Sequence, residues 1–293
     1  MLLTNNYNLP TSLVDVIKAK NYDLTTSDPL RIGVTTLNNP PRIRQLSVRH
    51  WKELSEDVSE HLWRVLGDSV HYILAKTEQD KRLIEEKITE VIDGITLVAK
   101  PDLYDDELKT IEDYKITVVW AVKSIKQDWV TQLNCYAYAL RKAGFEVKKA
   151  FINAILKDWS KMELLRFGRD YPPIPFKRIE IPLWSFEEQE KYIKERIALY
   201  KSTLNLSDEN LPVCTPEERW AKEDEFAVHK GTNQRATKLC DTMEEAIEYT
   251  NNIKDNGNKY NIKKREGRNI RCEEYCSVNK FCSFYQQRYL KNE

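Results

Sequence analysis

The sequence predicts an α/β protein, with a mixed central sheet flanked by helices. Three observations carry that expectation. Residues 94–104 form an apolar run that meets residues 110–115 across a short polar turn, as paired strands do. Residues 146–156 read as a strand through Val147, Ala150, Ile152 and Ala154, and residues 178–182 offer another. Helical stretches separate and flank these strands, at 11–20, 47–77 (interrupted near Gly67), 79–92, around 132–140, and 185–204.

Taken in order, residues 1–28 read as an N-terminal appendage with one short helix. Pro40-Pro41 breaks the chain before the long helical stretch. Residues 29–204 form the core, and Tyr171-Pro-Pro-Ile-Pro-Phe is a rigid loop within it. Residues 205–293 form a C-terminal section, in which 226–229 and 236–240 pair as a small hairpin. Asp241 then offers an N-cap, with Glu244 three residues later, and opens a helix.

Composition sets bounds. At 293 residues, with 41% hydrophobic residues and seven Trp, the chain can bury a substantial core as one large or two small domains. Net charge is zero, so whole-chain electrostatics do not point to nucleic acid. Two local basic patches do: Arg42, Arg44, Arg49 and Lys52, and Lys259, Lys263, Lys264, Arg265, Arg268 and Arg271. No apolar run reaches the ~20 residues of a membrane helix. No secretory signal is visible, so a cytoplasmic protein with reduced thiols is expected. No phosphate-cradling Gly-x4-Gly-Lys-Ser/Thr loop occurs, which argues against an ATP-driven motor.

The chemistry-bearing residues sit around the strand pair. Asp102 closes the first apolar run, and Asp113 and Lys115 are two apart in the second, so a strand points both to one face. Carboxylates with open positions suit Mg²⁺ or Mn²⁺, and a neighbouring lysine steadies a water or a developing charge. Gly67 and His71 share a helix face upstream, which offers a nitrogen ligand beside a close backbone approach. Downstream, Gln132 and Tyr136 share a face of a helix.

Six cysteines complete the inventory. Cys272, Cys276 and Cys282 cluster near the C-terminus, and Cys214 is the best fourth ligand, while Cys135 and Cys240 read as small core residues. Four thiolates hold either a [4Fe-4S] cluster or tetrahedral zinc, and spacing alone does not choose.

The order Gly67-x3-His71, Pro101-Asp102, Asp113-Tyr114-Lys115, Gln132-x3-Tyr136 and then the cysteine triplet resembles the PD-(D/E)xK nucleases of the RecB-like branch. That branch includes the iron-sulfur exonucleases linked to CRISPR adaptation. Segments 158–161, 181–184 and 214–220 give the chain the look of phage-encoded RecB-like exonucleases, over roughly residues 30–285. The resemblance implies a restriction-endonuclease-like core. His71, Asp102 and Asp113 then match metal ligands, together with the backbone carbonyl of Tyr114. Lys115 matches the catalytic lysine, Gln132 and Tyr136 the pair that orients lysine and DNA, and the four cysteines a cluster. Two features depart from the CRISPR-linked pattern: all four cysteines follow the nuclease core, and the first C-terminal gap is three residues rather than two. The implied activity is metal-dependent exonucleolytic hydrolysis of linear DNA in phage recombination, replication or repair, in the host cytoplasm. A recombinase or single-strand annealing protein is the implied partner, and oligomeric state is open. The alternatives are an endonuclease or end-trimming nuclease of CRISPR-adaptation type, and a non-catalytic DNA-binding or assembly component.

Overall fold

A computed structural model of the chain describes residues 1–76, 81–253 and 259–290. Two compact units are present, Met1–Leu211 and Pro212–Glu293.

The first unit runs β1 (Leu2–Thr4), α1 (Thr11–Ala19), β2 (Arg31–Gly33), α2 (Val34–Asn38), α3 (Pro41–Arg49), β3 (Ser55–Asp57) and α4 (Leu62–Leu74). It continues through β4 (Arg82–Ile84), β5 (Ile88–Ile92), β6 (Ile95–Ala99), β7 (Leu103–Asp105), β8 (Thr110–Thr117) and α5 (Gln127–Lys142). It ends with β9 (Lys149–Leu156), α6 (Lys161–Phe167), β10 (Phe176–Ile181) and α7 (Phe186–Thr203). The mixed α/β class expected from sequence is present, as several sheets flanked by helices.

A five-stranded sheet has the order β10-β9-β8-β7-β4, with β8 and β9 parallel and the other pairs antiparallel. A second sheet, β2-β6-β5, contains the hairpin of β5 and β6. Helix α5 is the crossover between the parallel strands β8 and β9, and it touches both sheets. Its Leu133, Ala137 and Leu140 are fully buried. Helix α7 covers α5 with Ile193, Ile197 and Tyr200, and opens on a capping box between Ser185 and Glu188.

Several elements differ from expectation. Residues 82–84 and 88–92 form strands, not a helix, while Gln79 lies outside the described residues. The reason is local: Asp93 and Gly94 both take positive φ, the two-residue turn that closes β5 onto β6. Gly67 does not interrupt α4. The break falls instead at 50–61, where β3 pairs with β1 in parallel, and Thr77 is outside the described residues. Residues 1–28 pack within the first unit, with Val14 and Ile17 buried against Val58. The Arg42 patch is not a free basic surface. Arg42 is buried and donates to the Leu211 carbonyl, and Arg49 pairs with Asp208 at 2.6 Å.

The second unit holds β11 (Glu225–Lys230), β12 (Lys238–Cys240), α8 (Met243–Asn252) and β13 (Tyr260–Arg265). These strands form an antiparallel sheet in the order β12-β11-β13, and α8 packs on it through Ala246 against Val228 and Cys240. The α8 cap is Thr242 rather than Asp241, because Thr242 Oγ1 accepts from the Glu245 amide at 3.1 Å. Gly267 is required where it stands, since a Cβ there would meet the Lys222 carbonyl.

Candidate active site

The site forms where β7 and β8 part. Leu103 pairs with Glu112, so the next residue out, Asp102, lies opposite Asp113. Asp102 Oδ2 accepts from the Tyr114 amide at 2.7 Å, which fixes the carboxylate across the hairpin. Asp113 and Lys115 share a face of β8 as their spacing predicts, with Lys115 Nζ 2.7 Å from Asp113 Oδ2. The side chain of Tyr114 points the other way and donates its hydroxyl to Glu112.

Helix α5 supplies the next two groups. Gln132 Nε2 donates to Asp113 Oδ1 at 3.2 Å and to the Tyr136 hydroxyl at 2.9 Å. The i, i+4 spacing thus gives one hydrogen-bonded run from Tyr136 to the β8 carboxylate. His71, in the last turn of α4, places Nδ1 3.4 Å from Asp102 Oδ1.

Sequence reasoning missed one residue, Glu85. It follows β4 with a positive φ of 56°, and its amide donates to the Asp102 carbonyl at 3.1 Å. Its Oε1 lies 3.1 Å from His71 Nδ1, and its other oxygen meets the Lys100 ammonium. Ligand atoms of His71, Glu85 and Asp102 all lie within 4.8 Å of one another. The available signal was the β-branched run at 88–92 before Asp93-Gly94, which would have placed Glu85 ahead of a strand instead of inside a helix. An open cleft of about 460 Å³ reaches these three groups, and the Lys20–Asp68 pair stands at its wall.

Electrostatics bear on what this cluster can hold. Burial, then the charge of Asp113, pushes the Asp102 carboxyl up to about 7. Burial likewise raises Asp113, against the opposing pull of Lys115. Burial also raises the Tyr136 phenol and keeps it protonated. Asp113 Oδ2 is buried, and the Lys115 ammonium at 2.7 Å is its one close partner among the described residues. Carboxylates crowded together with a spare lone pair and an imidazole fit a hard divalent cation, which would offset the charge that burial opposes.

In the second unit, burial pushes the Cys214 thiol up to about 12, with smaller contributions from Glu218 and from Cys282, Cys272 and Cys276. Burial similarly raises Cys272 to about 11. The four thiols are therefore electrostatic neighbours, yet among the described residues no three come within 4.8 Å of one another. Asn279 braces their loop, accepting from the Cys282 amide with its carbonyl and donating to the carbonyls of Cys272 and Cys276. Cys135 and Cys240 are buried elsewhere, Cys135 in α5 and Cys240 in β12. In the second basic patch, Lys264 pairs with Asp224, and Arg268 with Glu273 and Glu274.

Comparisons with known proteins give likenesses to one family and to solved structures. A family described as "Uncharacterized protein conserved in bacteria (DUF2188)" matches residues 218–275, within the second unit. A solved structure described as "Crystal structure of SSO0001" is similar at a TM-score of 0.45 and 15% identity, over 67% of this chain and 88% of that one. A search of the curated proteins finds no match.

Proposed function

We propose that the first unit is a metal-dependent deoxyribonuclease of the PD-(D/E)xK, RecB-like type. It would work as an exonuclease on linear DNA, in phage recombination, replication or repair. One observation carries this reading: His71, Glu85 and Asp102 converge beside the Asp113–Lys115 pair, with Gln132 and Tyr136 behind it. On this reading β7, β8, β9 and α5 are the restriction-endonuclease-like core.

His71, Glu85, Asp102 and Asp113 would hold Mg²⁺ or Mn²⁺. When bound, the ion lowers the pKa of the attacking water and stabilises charge on the scissile phosphate. The chain's own groups do the rest. Gln132 orients Asp113 through Oδ1, which leaves Oδ2 toward Lys115. The Lys115 ammonium, held there and partly exposed, faces the negative charge that develops on phosphate oxygens. The Tyr114 amide holds Asp102, so both carboxylates are set before substrate arrives. No covalent nucleophile is needed.

End-labelled linear DNA, single- and double-stranded, incubated with Mg²⁺ or Mn²⁺ beside a closed circle, tests the activity. Loss of the linear forms with the circle intact is the expected result. Cleavage of the circle would favour the endonuclease or CRISPR-type trimming reading. No cleavage with either metal would leave a DNA-binding or assembly role. Glu85→Gln is expected to raise the metal concentration for half-maximal cleavage about tenfold or more, because a ligand oxygen loses its charge. An unchanged metal requirement would remove Glu85 from the site.

Cys214, Cys272, Cys276 and Cys282 would hold a [4Fe-4S] cluster, with zinc the alternative. A tetrahedral zinc with bonds of about 2.3 Å draws its sulfurs to under about 4 Å apart. Metal analysis, for iron with sulfide or for zinc alone, decides between the two. Bound metal stabilises only the folded chain. Chelation or oxidation is therefore expected to unfold the second unit before the first, read as two transitions by proteolysis or calorimetry. One shared transition would count against a separate clamp.

A further inference from the structure

The five-stranded sheet carries unused chemistry at one end. Beyond Lys115, β8 leads into a 3-10 turn, Val119–Val122. There a cavity of about 270 Å³ opens, lined by the cations Lys123, Arg169 and Lys177 and by one acid, Asp170. Lys177 is anchored by donating to the Val122 carbonyl at 2.8 Å. Lys123 and Arg169 are exposed and form no ion pair with a described residue.

The rest of the lining is largely apolar and includes Val119, Tyr171 and Phe176. The proline loop beside it is already fixed. Trp159 Nε1 donates to the Pro172 carbonyl at 2.8 Å, and the Ser160 amide donates to the Tyr171 hydroxyl at 3.0 Å. Trp120, in the 3-10 turn, is 75% exposed. At the same end of the sheet, the Lys157 ammonium lies 3.2 Å from the centre of the Trp63 ring, and the Lys157 amide donates to the Thr117 carbonyl.

Unpaired cations in one cavity with planar apolar side chains suit a ligand with an anionic group and a flat body. A nucleotide of a single strand has both. A duplex keeps its bases stacked inside and offers the aromatic rings little beyond phosphate. Asp113 and Val119 are six residues apart on one run of chain, about 20 Å at strand rise, so one strand of nucleic acid can reach both places.

We propose that this cavity seats a nucleotide of single-stranded DNA, its phosphate on Lys123 and Arg169 and its base against the apolar wall, with Trp120 stacking a neighbouring base. The inference rests on the nuclease reading for its choice of DNA. Its test is binding, measured without divalent metal, so the two can fail separately. A labelled thymidine oligonucleotide and a duplex of equal length are titrated by anisotropy with the full-length protein, its Lys123→Gln/Arg169→Gln variant and its Trp120→Ala variant. All these side chains are exposed, and circular dichroism checks that the variants fold. Trp120→Ala is expected to weaken single-strand binding about tenfold while changing duplex binding less than twofold, and the double variant to weaken single-strand binding about tenfold and duplex binding by clearly less. The double variant also lowers the salt slope by about 1.4, for two lost phosphate contacts on a single strand. Three results would overturn the proposal: no single-strand binding by the native protein, native-like binding by the variants, or equal losses on both substrates. Cleavage with metal, compared between native protein and Asp113→Asn, decides the nuclease reading independently.

Discussion

Asp113→Asn is expected to reduce metal-dependent DNA degradation by about 10³-fold or more while raising the melting temperature of the metal-free protein. Both effects follow from one placement. The carboxyl is fully buried, and burial opposes its charge. An amide of the same shape removes that charge and can still accept from Gln132. The amide nitrogen that replaces Oδ2 has no lone pair to offer the ion, and the remaining oxygen carries no charge. A site that is costly to the empty fold and indispensable to the reaction is the usual trade between stability and function. Lys115→Ala is expected to lower activity about 10²-fold or more, but with the opposite effect on stability, because Asp113 then loses its nearest cation. Activity on linear DNA and thermal melting of both variants check this. If Asp113→Asn keeps activity within threefold of native, the carboxylate does not take part in the chemistry.

The contrast between the two variants also shows what sequence conveyed. Asp113 and Lys115 were legible because a strand repeats every two residues, and Gln132 and Tyr136 because a helix turn spans four. Each pair is local, and each meets as its spacing requires. Glu85 was not legible, because nothing local joins it to Asp102. The two meet only because β4 pairs with β7 and sets Glu85 beside the end of that strand. Arg42 fails for the same reason in reverse: its charged neighbours suggest a surface, and only the carbonyl of distant Leu211 makes it interior. The sheet assignment of residues 94–104 was partly hidden too. The run is split at Pro101 and Asp102, with β6 in one sheet and β7 in the other. That split leaves Asp102 off both ladders, free to turn its side chain toward His71.

Asp102 gives the second large effect, in the pH dependence of the metal-free protein. Its carboxyl rises from an ordinary 3.8 to about 7, chiefly by burial. The folded state therefore holds a proton between those values that the unfolded state has released. Stability from this group is present below about pH 4 and is lost as pH rises toward 7, in proportion to the protons that differ. The loss is on the order of a few kcal/mol, at about 1.4 kcal/mol per pKa unit. Other groups titrate in the same range, so the informative quantity is the difference between native protein and Asp102→Asn. That difference is expected to be small near pH 4 and to favour the variant increasingly up to pH 7–8 in EDTA. Mn²⁺ reverses the order at pH 8, because the ion binds only the ionised native site and stabilises by mass action. The amide variant gains little. A flat difference across pH would mean that Asp102 is not held protonated by its surroundings. A pH difference without a Mn²⁺ effect would mean that these carboxylates are crowded for a reason other than holding a cation.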